Sequence, residues 1–254
     1  MEKPDLLIIS HMYATFVKDQ VNQMAPDFNT IVVLVRTNPI AEISRFIPVS
    51  YLIPFSVAQK IDLRNKPENV RVIETPVFYL PTASGYEKLG RNHLKSVERC
   101  IQNHTLTFDL IHAHFTWSAG YVGSKLKEKY AVPFVITAHG MDIYELPFRN
   151  QFYQTAITRI LNSADHIITV SRKNLASIEK LSIKKPVSVI LNGYNASVFF
   201  PRDKEQCRKD LGLPRDKKIL VNVAKLYDVV KGHEVLIRAM QEVIKKRDDV
   251  ICYI

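Results

Sequence analysis

The chain has 254 residues, of which 46% are hydrophobic and 24% are charged, and this composition excludes a disordered protein. The formal net charge of +10 suits a nucleotide diphosphate, an anionic lipid surface or nucleic acid. The basic residues are spread along the chain and match no RNA-binding or zinc-finger signature, so we expect no nucleic acid partner.

The sequence has no pattern typical of a membrane span, a secretory leader or a disulfide framework. Only the short run LLIIS follows the first charged residues, and no apolar run approaches the about 18 residues that cross a bilayer. Cys100, Cys207 and Cys252 stand far apart, in no C-x-x-C spacing. We therefore expect reduced thiols in a cytoplasmic protein, which its positive charge could bring to the inner face of the membrane.

The chain opens with two predicted strands and a helix between them. Residues 6–10 and 30–35 are near-continuous apolar runs, and a helix-spaced apolar set begins at Phe16 and ends before Pro26. Buried strands of this kind, alternating with helices, are typical of parallel sheets covered on both faces. The pattern predicts the α/β class, with a doubly wound, Rossmann-like parallel sheet.

The segment from residue 36 to 84 is interrupted by prolines, with short strands predicted at 49–53 and 70–75. A helix over residues 86–103 then places basic residues on its outer face. That face could contact an anionic membrane, but Glu87 and Glu98 interrupt it and favour a solvated helix face.

Two histidines end the next strand. The run FDLIHAHF predicts a strand in which His112 and His114 share one face, and a helix over 117–129 follows. A second strand at 133–138 leads directly into His139-Gly140-Met141-Asp142. His112 and His114 could ligate a metal, but no acidic residue or cysteine stands near them at ligand spacing. A structural or cleft-lining role is favoured, and we expect no metal site.

The next elements are a helix at 148–162, a strand at 165–170, a helix capped by Ser171 and a strand at 187–191. Asn192 opens a turn after that strand. Ser171 and Asn192 could line a cleft, although a helix cap and a turn former fully explain these residue types.

Two lysines bracket a predicted strand-to-helix junction. Lys225 follows the apolar strand ILVNVA, and Lys231-Gly232 opens a helix-spaced apolar segment. Ligands bind at such junctions in open α/β sheets, and a helix N-terminus favours anions. Two ammonium groups there would suit a diphosphate, while the alternative is a pair of solvated loop lysines.

Four motifs in order resemble the retaining glycosyltransferases of the family 4 type, which have the two-domain GT-B fold. They are DLIHAHF, PFVITAHGMD, ADHIITVS with NGYNASVFFP, and Ala224-Lys225-Leu226 with Lys231-Gly232. The resemblance implies an N-terminal Rossmann-like domain over residues 1–197, on the acceptor side. It also implies the start of the nucleotide-sugar-binding domain over 198–254, which we expect to be incomplete, so that this chain alone would show little or no transfer.

The resemblance further implies the chemistry. A sugar would move from a nucleotide diphosphate sugar to a hydroxyl of an unidentified acceptor, a glycan or lipid-linked sugar, with no metal or cofactor. His139 would contact the donor sugar, and Lys225 and Lys231 would bind its diphosphate. The remaining candidates for the cleft are His114, Gly140, Asp142, Ser171 and Asn192.

Two other functions stay open at this stage. A sugar-nucleotide epimerase has a related fold, and the N-terminal domain could instead be a non-enzymatic binding module. The family also carries a Glu-x7-Glu motif. The spacing from Glu234 to Glu242 matches it, but this pair falls too early in the chain, and we interpret it as a solvated helix face.

Overall fold

A computed structural model of the chain describes residues 2–45, 53–80, 82–224 and 231–254. The chain divides into two compact units, Met1–Gly193 and Tyr194–Ile254, called the first and second units below. The sequence places the boundary after residue 197, four residues later than this division.

The first unit is built on a parallel sheet that has seven strands within the described residues. Its strands in chain order are β1 Leu6–Ser10, β2 Ile31–Thr37, β3 Val70–Pro76, β4 Leu110–His114, β5 Phe134–Ala138, β6 His166–Thr169 and β7 Val187–Val189. Their order across the sheet is β3-β2-β1-β4-β5-β6-β7, and every neighbouring pair is parallel. The predicted doubly wound α/β fold is confirmed.

Helices connect these strands. They are α1 Thr15–Met24, α2 Val57–Lys60, α3 Ala83–Asn103, α4 Tyr121–Tyr130, α5 Met141–Tyr144, α6 Gln151–Ser163 and α7 Arg172–Ile178. Short 3-10 helices lie at Ala25–Asp27, Pro39–Arg45, Ile53–Phe55 and Leu146–Phe148, and a π-helical turn lies at Thr116–Gly120.

The apolar strands are buried on both faces, and this explains their near-continuous hydrophobicity. Leu7 and Ile9 of β1 pack with helices α3, α4 and α6 on one face of the sheet. Leu6 and Ile8 pack with α1 on the other face. Because side chains alternate along a strand, a sheet covered on both sides needs an apolar residue at every position.

Several predicted helix starts are wrong, each for a local reason. The helix predicted from residue 148 begins at Gln151, because the side chain of Asn150 accepts a hydrogen bond from the Tyr153 N–H and caps it. The helix predicted from residue 117 becomes α-helical only at Tyr121, since Trp117 has non-helical dihedrals. Ser171 does cap its helix, as the sequence predicts, accepting from the Asn174 N–H. The sequence predicts that this helix runs to about Leu181, but α7 ends at Ile178.

The strand predicted at 49–53 falls mostly outside the described residues. Ile53, its last member, opens a 3-10 helix instead of ending a strand. Pro54 follows at once and has no backbone N–H to give to a sheet, which accounts for the absence of strand structure at this described end.

The second unit contains α8 Lys204–Asp210, β8 Lys218–Val221, α9 His233–Ile244 and β9 Val250–Tyr253. Strands β8 and β9 pair in parallel. Gly232 precedes α9 with a φ of 69°, a left-handed conformation that glycine adopts without strain. Glu234 and Glu242 are exposed and pair within α9 with Arg238 and Lys245, as expected for a solvated helix face.

Candidate active site

The candidate site lies where the order of strands reverses. The chain runs outward from β1 to β2 and β3 and then returns to β4 on the other side of β1. The connections after β1 and β4 therefore leave in opposite directions, and in open α/β sheets ligands bind in the crevice beyond these carboxyl ends. His11 follows β1, Phe115 follows β4, and His139 follows β5.

A cavity of about 780 Å³ opens at this edge of the first unit. Aromatic and basic side chains with a few polar groups form its wall. Its lining residues include His11, Phe16, Arg36, Tyr86, Phe115, Trp117, His139, Gly140, Met141, Asp142, Arg149, Asn150, Tyr153 and Asn192. The size and the mixed lining are those of a site for a small organic ligand.

Stacked rings form one wall of the cavity. The rings of His11 and Phe115 lie 4.5 Å apart and nearly parallel, and the His139 ring is 4.6 Å from Phe115 and 4.8 Å from Phe16. Phe115 has a φ of 77°, which is costly for a residue with a side chain. The strained backbone at Phe115 holds its ring between the rings of His11 and His139. Backbone strain is therefore a feature of this site.

His139 is held by a second histidine. Its Nε2 lies 2.9 Å from Nδ1 of His114, which is fully buried in β4. Burial lowers the pKa of His139 to about 4 and also lowers the pKa of His114. Both rings are therefore neutral at pH 7, and one nitrogen of the pair donates while the other accepts. Nδ1 of His139 is buried without a hydrogen-bond partner among the described residues.

His112 bonds to a neighbouring strand instead of lining the cavity. Its Nε2 lies 2.8 Å from the hydroxyl of Thr137 on the neighbouring strand, and burial lowers its pKa to about 4. The residue is buried, and it is outside the set that lines the cavity within the described part of the chain. This placement fits the structural role that the sequence favours for it.

Asp142 forms hydrogen bonds with the backbone of two loops, one after β4 and one after β5. Its Oδ1 accepts hydrogen bonds from the N–H groups of His139 and Gly140, and its Oδ2 accepts one from the Thr116 N–H. The Thr116 hydroxyl in turn donates to the Asp142 carbonyl. Burial raises the pKa of Asp142, whereas the three N–H donors favour the carboxylate and act in the opposite direction. These bonds hold Thr116 outside helix α4 and position the backbone of His139.

One basic residue of the cavity wall, Arg36, contacts buried polar groups that are outside the lining set among the described residues. The Arg36 Nη1 donates to the Ser118 hydroxyl at 2.8 Å, and Ser118 also bonds Nδ1 of His93 at 2.9 Å. The Lys60 ammonium donates to the Arg36 carbonyl at 2.9 Å. Burial, together with the charge of Arg36, lowers the pKa of Lys60 to about 7 and lowers the pKa of His93.

The structure places the remaining predicted residues as follows. Gly140 and Asn192 line the cavity, whereas Ser171 and His114 are outside the lining set among the described residues. Gly140 has a φ of 173°, so the turn after β5 does not depend on a left-handed conformation there. Lys225 lies outside the described residues. Lys231 is exposed in the second unit, two residues before α9 begins.

Sequence reasoning missed much of the cavity wall: His11, Arg36, Tyr86, Phe115, Trp117 and Tyr153. A signal existed for some of these residues, because His11, Arg36 and Phe115 stand at or just beyond the ends of β1, β2 and β4. The carboxyl ends of parallel strands share one edge of the sheet, so this position brings them together. Tyr86 and Tyr153 lie within helices and carried no such signal.

Within the described ranges, no group of three or more His, Cys, Asp or Glu side chains is arranged to hold a metal ion. The same described residues include no helix that is both long and apolar enough to span a bilayer.

Comparison with known proteins agrees with this architecture. The family model for Glycosyltransferase Family 4 matches residues 52–198. TuaC of Bacillus subtilis (strain 168), a glycosyltransferase named for teichuronic acid biosynthesis, is 33% identical over 138 residues, covering 54% of this chain and 35% of that protein. D-inositol 3-phosphate glycosyltransferase of Corynebacterium diphtheriae is 27% identical over 187 residues, covering 66% of this chain and 43% of that protein.

Among solved structures, sucrose-phosphate synthase from Thermosynechococcus elongatus superposes with a TM-score of 0.68 at 20% identity, covering 99% of this chain and 61% of that one. At this identity the likeness concerns the fold alone. The chain spans less than half the length of the two curated relatives.

Proposed function

The chain belongs to glycosyltransferase family 4, and from this premise we propose that it supplies the acceptor side and the first part of the donor side of a retaining transferase. The enzyme would move a sugar from a nucleotide diphosphate sugar to an acceptor hydroxyl in glycan or glycolipid synthesis. Because the chain spans less than half of its curated relatives, we assign the activity to the longer polypeptide and expect little or none from this chain alone.

The observation that supports this proposal most directly is the cavity of about 780 Å³ beside His139, at the switch point of the sheet. His139 is neutral and is held by His114, so it can exchange hydrogen bonds with sugar hydroxyls without adding charge. In the proposal the cavity takes the acceptor, and His139 at its wall contacts the donor sugar.

Lys225 and Lys231 would bind the donor diphosphate and stabilise the charge that develops on it as it leaves. Lys231 is exposed just before α9, and the described residues provide no side-chain cap for the first N–H groups of that helix. A helix N-terminus with a nearby ammonium group favours an anion.

The test is the Lys231→Ala substitution in the longer enzyme, assayed for sugar transfer. We expect turnover to fall by about two to three orders of magnitude, as when a preorganised charge-stabilising group is removed. Lys204→Ala, at an exposed lysine in α8, is the control and should leave turnover unchanged. A Lys231→Ala enzyme with a near-normal rate contradicts the assignment.

The same comparison addresses the non-enzymatic alternative. A binding module would bind its partner equally well with Lys225 and Lys231 both replaced by alanine, and it would transfer no sugar.

Two relatives are named for D-inositol 3-phosphate and teichuronic acid, so a hydroxyl-bearing ring compound or a glycan is the acceptor class that we propose to test first.

We also propose a peripheral contact with an anionic membrane at the inner leaflet. It would use the basic stripe, defined as Lys88, Arg91, Lys95 and Arg99, whose members are exposed and recur at helical spacing along α3. Such a stripe is also compatible with a solvated helix face, and a vesicle measurement decides between the two roles.

A further inference from the structure

Arg36 is a buried cation in the cavity wall that the proposed transfer chemistry does not use. It lies near the end of β2 and has only 7% of its surface exposed. Its Nη1 donates to Ser118, and its guanidinium lies 5.6 Å from the centre of the Tyr79 ring. Its Nε is buried without a hydrogen-bond partner among the described residues. An unpaired buried donor is unfavourable, because it has lost its hydrogen bonds to water.

Arg36 forms no ion pair with a carboxylate among the described residues. Burial lowers its pKa, and the groups that oppose this shift are the tyrosines Tyr79 and Tyr86, not a carboxylate. The carboxylate in the cavity wall belongs to Asp142, whose two oxygens already accept three backbone N–H groups. A buried charge without an opposite charge carries a desolvation penalty, which a bound anion can offset.

The neighbours of Arg36 increase the positive potential. The Lys60 ammonium donates to the Arg36 carbonyl, and burial, together with the charges of Arg36 and Lys60, lowers the pKa of both His11 and His93. Glu42 acts in the opposite direction on Lys60 alone. Of these groups, Arg36 and His11 line the cavity, whereas Lys60 and His93 are outside the lining set among the described residues. The buried charge of Arg36 would attract an entering anion strongly, because a low dielectric strengthens Coulomb attraction.

We propose that the acceptor carries an anionic group, a phosphate or a carboxylate, which enters this cavity and pairs with the Arg36 guanidinium. The proposal rests on the cavity being the acceptor site. A guanidinium offers a planar fork of donors that matches either oxyanion, so one site chemistry covers both groups. The anion would supply a counter-charge for the buried guanidinium.

Arg149, the second arginine that lines the cavity, differs from Arg36 in exposure and in pairing. Arg149 is about half exposed and pairs with Glu145, four residues earlier in the chain. Its charge is already compensated and largely hydrated, so we assign it no part in anion binding. Arg149 therefore provides a matched control on the same cavity.

The test is equilibrium binding to the 254-residue chain, followed by backbone amide NMR shifts near Ser118 and Gly140. The probes are glucose, glucose 6-phosphate and glucuronate, so that the charged group is varied on one sugar. At least one charged sugar should bind at least about tenfold more tightly than glucose, and the tighter of the two identifies the preferred anion. Arg36→Met should weaken its binding at least about tenfold, whereas Arg149→Met should change it less than twofold.

Equal binding of all three sugars, an unchanged Kd in Arg36→Met, or no binding up to about 10 mM would each overturn the proposal. If Arg36→Met does not fold, Arg36→Lys replaces it: that variant keeps the charge but loses the fork, and should still weaken binding several-fold. These readouts do not involve sugar transfer. A near-normal transfer rate in Lys231→Ala would contradict the diphosphate assignment while leaving the Arg36 result interpretable by itself.

Discussion

At the scale of single residues, the site depends on buried polar groups that fix each other's geometry. Asp142 holds the backbone on both sides of the cavity edge, and His114 holds the ring of His139. Neither role is visible from residue type, since both require two strand ends to meet. Asp142 therefore acts as a positioning residue, although the sequence predicts it only as a lining residue.

The Asp142→Asn substitution tests this positioning role. Asparagine keeps one acceptor oxygen and turns an NH₂ group toward either the Thr116 N–H or the N–H pair of His139 and Gly140. We expect the free energy of unfolding to fall by about 1–3 kcal/mol, because at least one buried N–H loses its acceptor.

Urea unfolding of the purified chain measures this loss. Asp203→Asn is the control, since Asp203 caps α8 through a single bond from the Gln206 N–H, which asparagine caps equally well. Equal stability of the Asp142→Asn variant and the unsubstituted chain would contradict the role assigned to the three hydrogen bonds.

At the scale of elements, helix α3 carries two different faces. Leu89, Val97 and Ile101 are buried against the sheet side, and the basic stripe lies on the exposed side. The predicted interruption by acidic residues is only partial, because Glu98 pairs with Lys129 of α4 and Glu87 is half-buried. The four basic residues of the stripe are all exposed, whereas Glu87 and Glu98 are only partly exposed.

Replacing all four residues of the basic stripe with glutamine tests the membrane proposal. Each lysine or arginine near an anionic surface contributes about 1 kcal/mol, so binding to phosphatidylserine-containing vesicles should fall by at least about a hundredfold. Co-sedimentation with such vesicles is the measurement, with pure phosphatidylcholine vesicles as the uncharged reference. The charge-matched control replaces Lys204, Lys209, Lys245 and Lys246. Equal binding by both variants would favour the solvated helix face.

At the scale of the whole molecule, the first unit buries histidines in their neutral form. His93, His112 and His114 are each at most 5% exposed, and burial lowers the pKa of all three. In the unfolded chain these rings have a pKa near 6.5, so acid favours the unfolded state. Their stabilising contribution is complete above about pH 6.5 and is lost as the pH falls toward the lower pKa of the folded state, which is about 4 for His112.

We therefore expect the stability of the chain to decline between pH 6.5 and 5, by up to about 1.4 kcal/mol per pH unit for each buried histidine. Urea midpoints measured across this interval give the slope. His112→Phe removes one titrating ring and should reduce the slope, whereas His104→Gln, at an exposed position after α3, should leave it unchanged. A slope identical in His112→Phe would show that His112 does not titrate on unfolding.

The sequence by itself determined the layered fold, because apolar runs with helix-spaced segments between them have few other ways to bury both faces of a strand. It also determined that His139 and Asp142 stand just beyond the end of β5, and that a lysine and a glycine precede α9. These are local facts, set by periodicity, turn residues and strand ends. The sequence did not predict the exact helix starts at Gln151 and Tyr121. The Asn150 cap decides the first start, and the hydrogen bond from the Thr116 N–H to Asp142 decides the second.

Only the tertiary structure decided which distant residues share the cavity. Arg36, His93 and Ser118 are far apart in sequence, and the strand order β2-β1-β4 with the packing of α3 brings them into contact. The protonation states follow from the same packing, because desolvation is a property of the surroundings and not of the residue type. The proposed ligand chemistry depends on the neutral histidines and on the buried charge of Arg36. Both follow from tertiary packing, which local sequence patterns do not encode.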